Sequence, residues 1–224
     1  MLFFLGTSKE NDYFYLPTAN AQHTLTFNIL KSMINILLSH ILTKTELSSE
    51  ELKTISDSFI EIPVKKREFL LKPGKVSQYE YFIAKGCIRS FVIDEKGNEH
   101  NNRFGIEESW IGDILSYYNQ TPASYHIQAL EDSVVFAIKL DQMNLLMDTM
   151  PAFEHYSRIK FQYGVLSLQL RLTEKLSLSA EKRFLEFIKR YPHLEQRIPQ
   201  KHIASYLGIT PEFLSLLRKK TFNK

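Results

Sequence analysis

Residues 200–219 read Q-K-H-I-A-S-Y-L-G-I-T-P-E-F-L-S-L-L-R-K, with small and apolar positions where two short helices would meet across a tight turn. Ala204 is small enough to let the helices approach, and Gly208, four positions on, supplies a turn conformation that a Cβ opposes. Ile203, Leu207, Ile209, Leu214 and Leu217 fall on the inner face of such a unit. Thr210 reads as the cap of the second helix, Pro211 as its first residue and Glu212 as an acid in its first turn. The twenty-residue spacing is that of a helix-turn-helix that reads DNA. A helical hairpin with a purely structural purpose is the alternative.

Charge separates the two readings. Residues 171–224 hold twelve Lys and Arg against five Asp and Glu, a net +7, whereas residues 1–170 hold sixteen against twenty, a net −4. The whole chain is only +3, so the basic charge is concentrated around the helical pair, as a phosphate-facing module requires.

At 224 residues, 44% hydrophobic and 12% aromatic, the chain can bury a substantial core and is expected to form two domains. A single cysteine, Cys87, excludes an intramolecular disulfide and any iron–sulfur cluster drawing several thiolates from one chain, and fits a cytoplasmic location. The opening M-L-F-F-L-G lacks a basic n-region, and Lys31, Asn35 and His40 interrupt the apolar segment from Asn28 to Leu42, so no membrane association is expected. Residues 1–32 show no sustained period and are read as a leader or as the result of a start codon placed too early, with a genuine N-terminal arm as the alternative.

An amphipathic helix is expected up to about Thr43, followed by a second short helix opened by a Ser48/Glu51 capping box and ending near Ser58. From Phe59 to Ile138 the signals are of strands: F-I-E-I-P-V, Y-E-Y-F-I-A, C-I-R-S-F-V-I-D, E-H-N-N-R-F, Y-H-I-Q-A-L and S-V-V-F-A-I, separated by turn chemistry at 72–74, 85–86 and 95–98. Many short strands imply an antiparallel barrel or sandwich. Pro151 then opens a helix running to about Leu178. Tyr156, Ile159, Tyr163, Leu166, Leu170 and Thr173 recur along it at the period of a coiled-coil seam, and Phe161, Val165, Leu168, Leu172 and Leu176 form a second stripe. One stripe is expected on the chain's own β domain and the other on a second copy; burial of the whole helix within one monomer is the alternative.

This order of parts resembles the Crp/Fnr family of bacterial transcription regulators, over roughly residues 33–220. The resemblance rests on G-C-I-R-S-F-V-I-D-E-K-G-N-E-H, W-I-G-D, A-L-E-D-S, L-S-L-S-A-E-K-R and I-P-Q-K-H-I-A-S-Y-L-G-I-T-P-E-F-L-S. It implies an α+β fold. Residues 33–150 would form a cyclic-nucleotide-binding-like antiparallel β-roll of jelly-roll type with flanking helices, 151–178 a long dimerisation helix, and 179–224 a helix-turn-helix DNA-binding domain. The implied protein is a homodimer on a pseudo-palindromic double-stranded operator, with RNA polymerase and an unknown small-molecule effector as further candidate partners. No cofactor is implied.

In that family the phosphate-binding cassette carries Gly-Glu, then Arg-Ser about eleven residues on. Gly112 and Asp113 stand at the first pair, Ala123 and Ser124 at the second, so Ala123 replaces the arginine that would meet a cyclic phosphate. Losing a charge-assisted bond of roughly 1.5–3 kcal/mol weakens a cyclic nucleotide about ten- to a hundredfold or more, which argues against cyclic AMP. Arg103 is a candidate substitute cation, and Trp110, Tyr117, Tyr118 and Tyr125 either line a pocket or simply fill the barrel interior.

At the DNA end, helix-turn-helix geometry points Pro211, Glu212, Ser215 and Leu216 at base edges, with Glu212 suited to a cytosine amino group and Leu216 to a thymine methyl. The resemblance often places an arginine where Leu216 stands. Gln200, Lys201, Thr210, Arg218, Lys219 and Lys220 are placed for phosphates, although Arg218–Lys220 also suit a solvated helix end. The interval from Tyr191 to Gln200 leaves little room for a β-hairpin wing. Two other classes stay open: a small-molecule sensor with weak DNA contact, and a barrel enzyme using metal. Against the enzyme, His100 and His126 lack companions at metal-ligand spacing, so no metal set is read, and Cys87 has no nucleophile motif.

Overall fold

The structure, a computed structural model, describes residues 33–222, and the leader expected over residues 1–32 lies outside that range. Helices α1 (Ile34–Leu42) and α2 (Ser49–Asp57) come first. The expected capping box opens α2: Ser48 Oγ accepts from the Glu51 amide at 3.3 Å while the Glu51 carboxylate accepts from the Ser48 amide at 2.7 Å.

Strands β1 (Ile60–Val64), β2 (Phe69–Leu71), β3 (Tyr79–Lys85), β4 (Ile88–Ile93), β5 (Glu99–Gly105), β6 (Ser109–Ile111), β7 (His126–Ala129) and β8 (Ser133–Lys139) follow. They form two four-stranded sheets, ordered β1-β8-β3-β6 and β2-β7-β4-β5. Every pairing is antiparallel. All six strands expected from the sequence are present, and β2 and β6 were not expected. Each has only three residues, too few for an alternating pattern to declare itself.

Alternation decides how the layers stack. On β3 and β8, Tyr81, Ile83, Val135 and Ala137 point between the sheets, where they meet Leu71, Ile88, Ile127 and Ala129. Phe82, Ala84, Phe136 and Ile138 point the other way, into a second cluster with Leu37 and Ile41 of α1, Ile55 of α2, and Phe153 and Tyr156 further along the chain. Burying a large apolar side chain is worth about 1.5–3 kcal/mol, so the flanking helices are integral to this β-roll. Between β3 and β4 stands Gly86, whose φ is +102° and whose missing Cβ would stand 2.2 Å from Ser133 Oγ. Only glycine satisfies both the backbone angle and the space.

Helix α3 (Ile114–Asn119) interrupts the strands, and α4 (Leu140–Thr149) follows them. Helix α4 was not among the elements expected from the sequence. Helix α5 (Pro151–Ser177) spans 27 residues with Pro151 in its first turn, close to the expected limits. Its contacts depart from expectation, because the division runs along its length rather than between faces. Phe153, Tyr156 and Ser157 in the first two turns are buried on the β-roll. Ile159 and Phe161 are half-buried, and from Tyr163 on both stripes are open within one chain: Val165, Leu168, Leu172 and Leu176 are 56–78% exposed, and Tyr163, Leu166 and Leu170 are 40–47% exposed.

The chain closes with α6 (Ala180–Arg190), α7 (Leu194–Arg197), α8 (Gln200–Leu207) and α9 (Pro211–Phe222). Ser179 caps α6, and α7 fills the interval that leaves little room for a wing.

Candidate nucleic-acid interface

Helices α8 and α9 form the predicted pair. Gly208 ends α8 in the left-handed region, at φ 68° and ψ 39°. A Cβ there would meet nothing within 4 Å, so it is the backbone angle alone that favours glycine. Ile203, Ala204, Leu207, Leu214 and Leu217 are all buried, with Phe184 and Phe187 of α6 beneath them and Ile209 packed alongside. The Thr210 hydroxyl caps α9 by accepting from the Phe213 amide at 3.2 Å. Glu212 is fully exposed, and its own amide and then the Thr210 hydroxyl hold its carboxyl below the usual range. It is therefore ionised at neutral pH.

The sequence-predicted reading residues share one outward region. Pro211, Glu212 and Leu216 are exposed and Ser215 is half-buried. Lys201, Thr210, Lys219 and Lys220 are exposed, whereas Gln200 and Arg218 are half-buried. Lys220 is not a free cation: its Nζ pairs with the Glu181 carboxylate of α6 at 2.9 Å. Phe213, absent from the sequence reading, is 44% exposed beside Leu216. Its position three residues before Leu216 was the available signal.

A feature without any sequence signature is the docking of α8 onto the β-roll. The Ser205 hydroxyl donates to the Glu99 carbonyl at 2.5 Å and accepts from the Asn101 amide at 3.0 Å. Asn101 Nδ2 donates to the His202 carbonyl at 3.2 Å. Arg89 on β4 lies behind them, only 3% exposed. Its guanidinium donates to Glu99 at 2.5 Å, to Gln128 at 2.7 Å and to His202 Nδ1 at 2.9 Å, and stacks 3.8 Å from the Phe91 ring centre. The hydrogen bond from Arg89 holds the Glu99 carboxyl below its ordinary range.

A guanidinium only donates, so His202 Nδ1 accepts and the imidazole is neutral when docked. Burial, then the charges of Arg89 and Lys201, lower its pKa from 6.5 to about 4. The folded value lies below the unfolded one, so this contribution to stability is complete above about pH 6.5 and declines as the pH falls towards 4. Urea midpoints should fall over that window, and His202→Gln should flatten the fall. His40, lowered to about 4 by burial and then by Lys44, contributes in the same window and keeps some slope in the variant.

In the β-roll, Asp113 is buried and both of its oxygens are engaged. Oδ1 accepts from the Ser116 amide, capping α3, and Oδ2 accepts from the Ser124 amide, each at 3.1 Å. Ala123 is buried in the apolar layer between the sheets, and its backbone is bonded to Gly74 and Lys75. Gly112 lies beside Glu80, where a Cβ would come within 3.3 Å of Glu80 Cγ. Asp113 and Ser124 are thus brought together, while Arg103 is exposed on β5 and its charge acts on the Tyr191 phenol. The aromatics behave largely as core: Trp110 Nε1 donates to Tyr156 Oη at 2.7 Å, and Tyr117 Oη donates to the Ile138 carbonyl at 3.2 Å. His100 bonds Asp94 at 2.8 Å and His126 stacks on Phe91. Burial pushes the Cys87 thiol up to about 12, which keeps it protonated. Among the described residues, no helix is long and apolar enough to cross a membrane.

A model of the cyclic nucleotide-binding domain matches residues 61–150. The regulatory protein HlyX of Actinobacillus pleuropneumoniae is 27% identical over 212 residues, 89% of this chain and 87% of that protein. The fumarate and nitrate reduction regulatory protein of Yersinia pestis is 31% identical over 173 residues, 69% of this chain and 66% of its own length. Among solved structures, the c-di-GMP responsive global regulator CLP of Xanthomonas campestris superposes with a TM-score of 0.62 at 12% identity, covering 77% of this chain and 91% of that one.

Proposed function

Since this chain belongs to the Crp/Fnr family of DNA-binding transcription regulators, we propose that it acts as a cytoplasmic homodimer on a two-fold-symmetric operator, without responding to cyclic AMP. The observation that carries the proposal is α9. Its inner face is held by Leu214 and Leu217, and Pro211, Glu212 and Leu216 are left open at its N-terminal end. That end of a second helix enters the major groove in this motif. A two-fold dimer built on the open stripes of α5 would set two such helices about one duplex turn apart. The β-roll supports the second half of the reading. Asp113 is committed to backbone amides and the buried Ala123 offers no charge to a cyclic phosphate.

Selection of bound duplexes from a random pool tests this reading, and enrichment of a two-fold-symmetric motif is the expected result. Glu212→Ala should change the preferred base at one position of each half-site. Lys219→Ala should weaken all sequences alike and reduce the salt slope by about one. Equal losses on every sequence from Glu212→Ala would remove Glu212 from the reading set.

A further inference from the structure

The reading end of α9, P-E-F-L-S-L over residues 211–216, holds no Arg, Lys, Asn or Gln, the side chains that usually read guanine and adenine edges. What it exposes instead is apolar: Phe213 at 44% and Leu216 at 62%. The helix does not need these residues for packing, because Leu214 and Leu217 already fill its inner face at 0% and 5% exposure. Phe213 and Leu216 stand three residues apart, so their side chains are neighbours on the outer surface. Lys219, which is exposed, follows on the next turn, and segment 171–224 as a whole carries a net +7. A small apolar pair followed by an exposed lysine complements a methyl-lined groove floor flanked by phosphates. Thymine C5-methyl groups make such a floor in the DNA major groove.

We infer that Phe213 and Leu216 together read thymine methyl groups, so that this helix recognises its half-site chiefly by apolar contact, with Glu212 adding one hydrogen-bond acceptor. The inference rests on the DNA-binding reading and makes Phe213 a specificity-determining residue. It also specifies the operator chemistry: each half-site presents thymines to both side chains.

Deoxyuridine tests this directly, because it removes the methyl and keeps the Watson–Crick pairing. In duplexes carrying the selected operator, each thymine is replaced singly and affinity is measured with wild type, Phe213→Ala and Leu216→Ala. The expected loss is about fourfold for each contacted methyl in the wild type. Phe213→Ala should abolish the loss at one thymine and Leu216→Ala at another, with the salt slope unchanged in both. Both side chains are exposed, so the substitutions leave the inner packing of α9 intact. Tight, salt-dependent operator binding that is insensitive to deoxyuridine at every thymine would overturn the methyl reading and leave the DNA-binding reading standing. Failure to bind any duplex would overturn both.

Discussion

Leu168→Glu combined with Leu172→Glu should leave the protein monomeric and lower its operator affinity by about 10²–10⁴-fold, the range lost when two linked binding events become one. Within one chain these leucines are 65% and 56% exposed, on the same stripe as Val165 and Leu176. Burying each against a second copy is worth about 1.5–3 kcal/mol per side chain, and a carboxylate in the same place must be desolvated without a partner. Each monomer should keep its circular dichroism, because neither side chain packs on its own chain. Sedimentation and operator titration read the two effects separately. A variant that stays dimeric would place the seam elsewhere on the molecule.

A loss of about 3–5 kcal/mol is expected from Lys160→Met, the usual cost of stranding one member of a buried ion pair. Lys160 Nζ on α5 lies 2.7 Å from Glu80 Oε2 on β3, and the two side chains are 10% and 4% exposed. The ammonium also sits 4.3 Å from the Trp110 ring centre. Removing it leaves the Glu80 carboxylate buried without its cation. Pairing the change with Glu80→Leu should recover most of the stability, since an apolar pair of similar volume often replaces a buried ion pair without loss. Urea unfolding of wild type, both single variants and the double variant closes the cycle. A Lys160→Met protein as stable as wild type would show that Glu80 is not stranded by the loss of its cation.

Local chemistry made much of this molecule legible in advance. The Ser48/Glu51 box, Pro151 at the start of α5, and the Gly208–Thr210–Pro211 punctuation each act within a few residues, so the sequence displays them directly. The six longer strands were legible for the same reason, since alternation shows over four or more residues. What escaped depends on distance along the chain. β2 and β6 are three-residue pieces fixed by their partners, β7 and β3, rather than by their own pattern. The contacts of α5 could not be divided correctly from its two stripes, because periodicity says which residues align and not how far the β-roll reaches along the helix. At the candidate site, the exposure of Pro211, Glu212 and Leu216 followed from the spacing of the hairpin. The Arg89–His202 bond joins residues 113 positions apart, and no local pattern encodes it. The exposure of Phe213 was not legible, because a phenylalanine within an apolar run reads as core until burial distinguishes it from Leu214.

The docking of α8 on β5 also bears on how separable the two halves are. Cys87, Phe104 and Leu130 of the β-roll lie in one continuous apolar cluster with Phe184, Phe187, Ile203 and Leu207 of the C-terminal helices. Releasing those helices would expose both sides of the cluster to water and break the Arg89 bonds at once. The core runs unbroken from the β-roll into these helices, so the two halves are expected to melt as one cooperative unit. The C-terminal helices are for the same reason not an interchangeable cassette. Transplanted onto another β-roll they would arrive with an unmatched apolar face, and only a recipient carrying the β4–β5 surface could cover it.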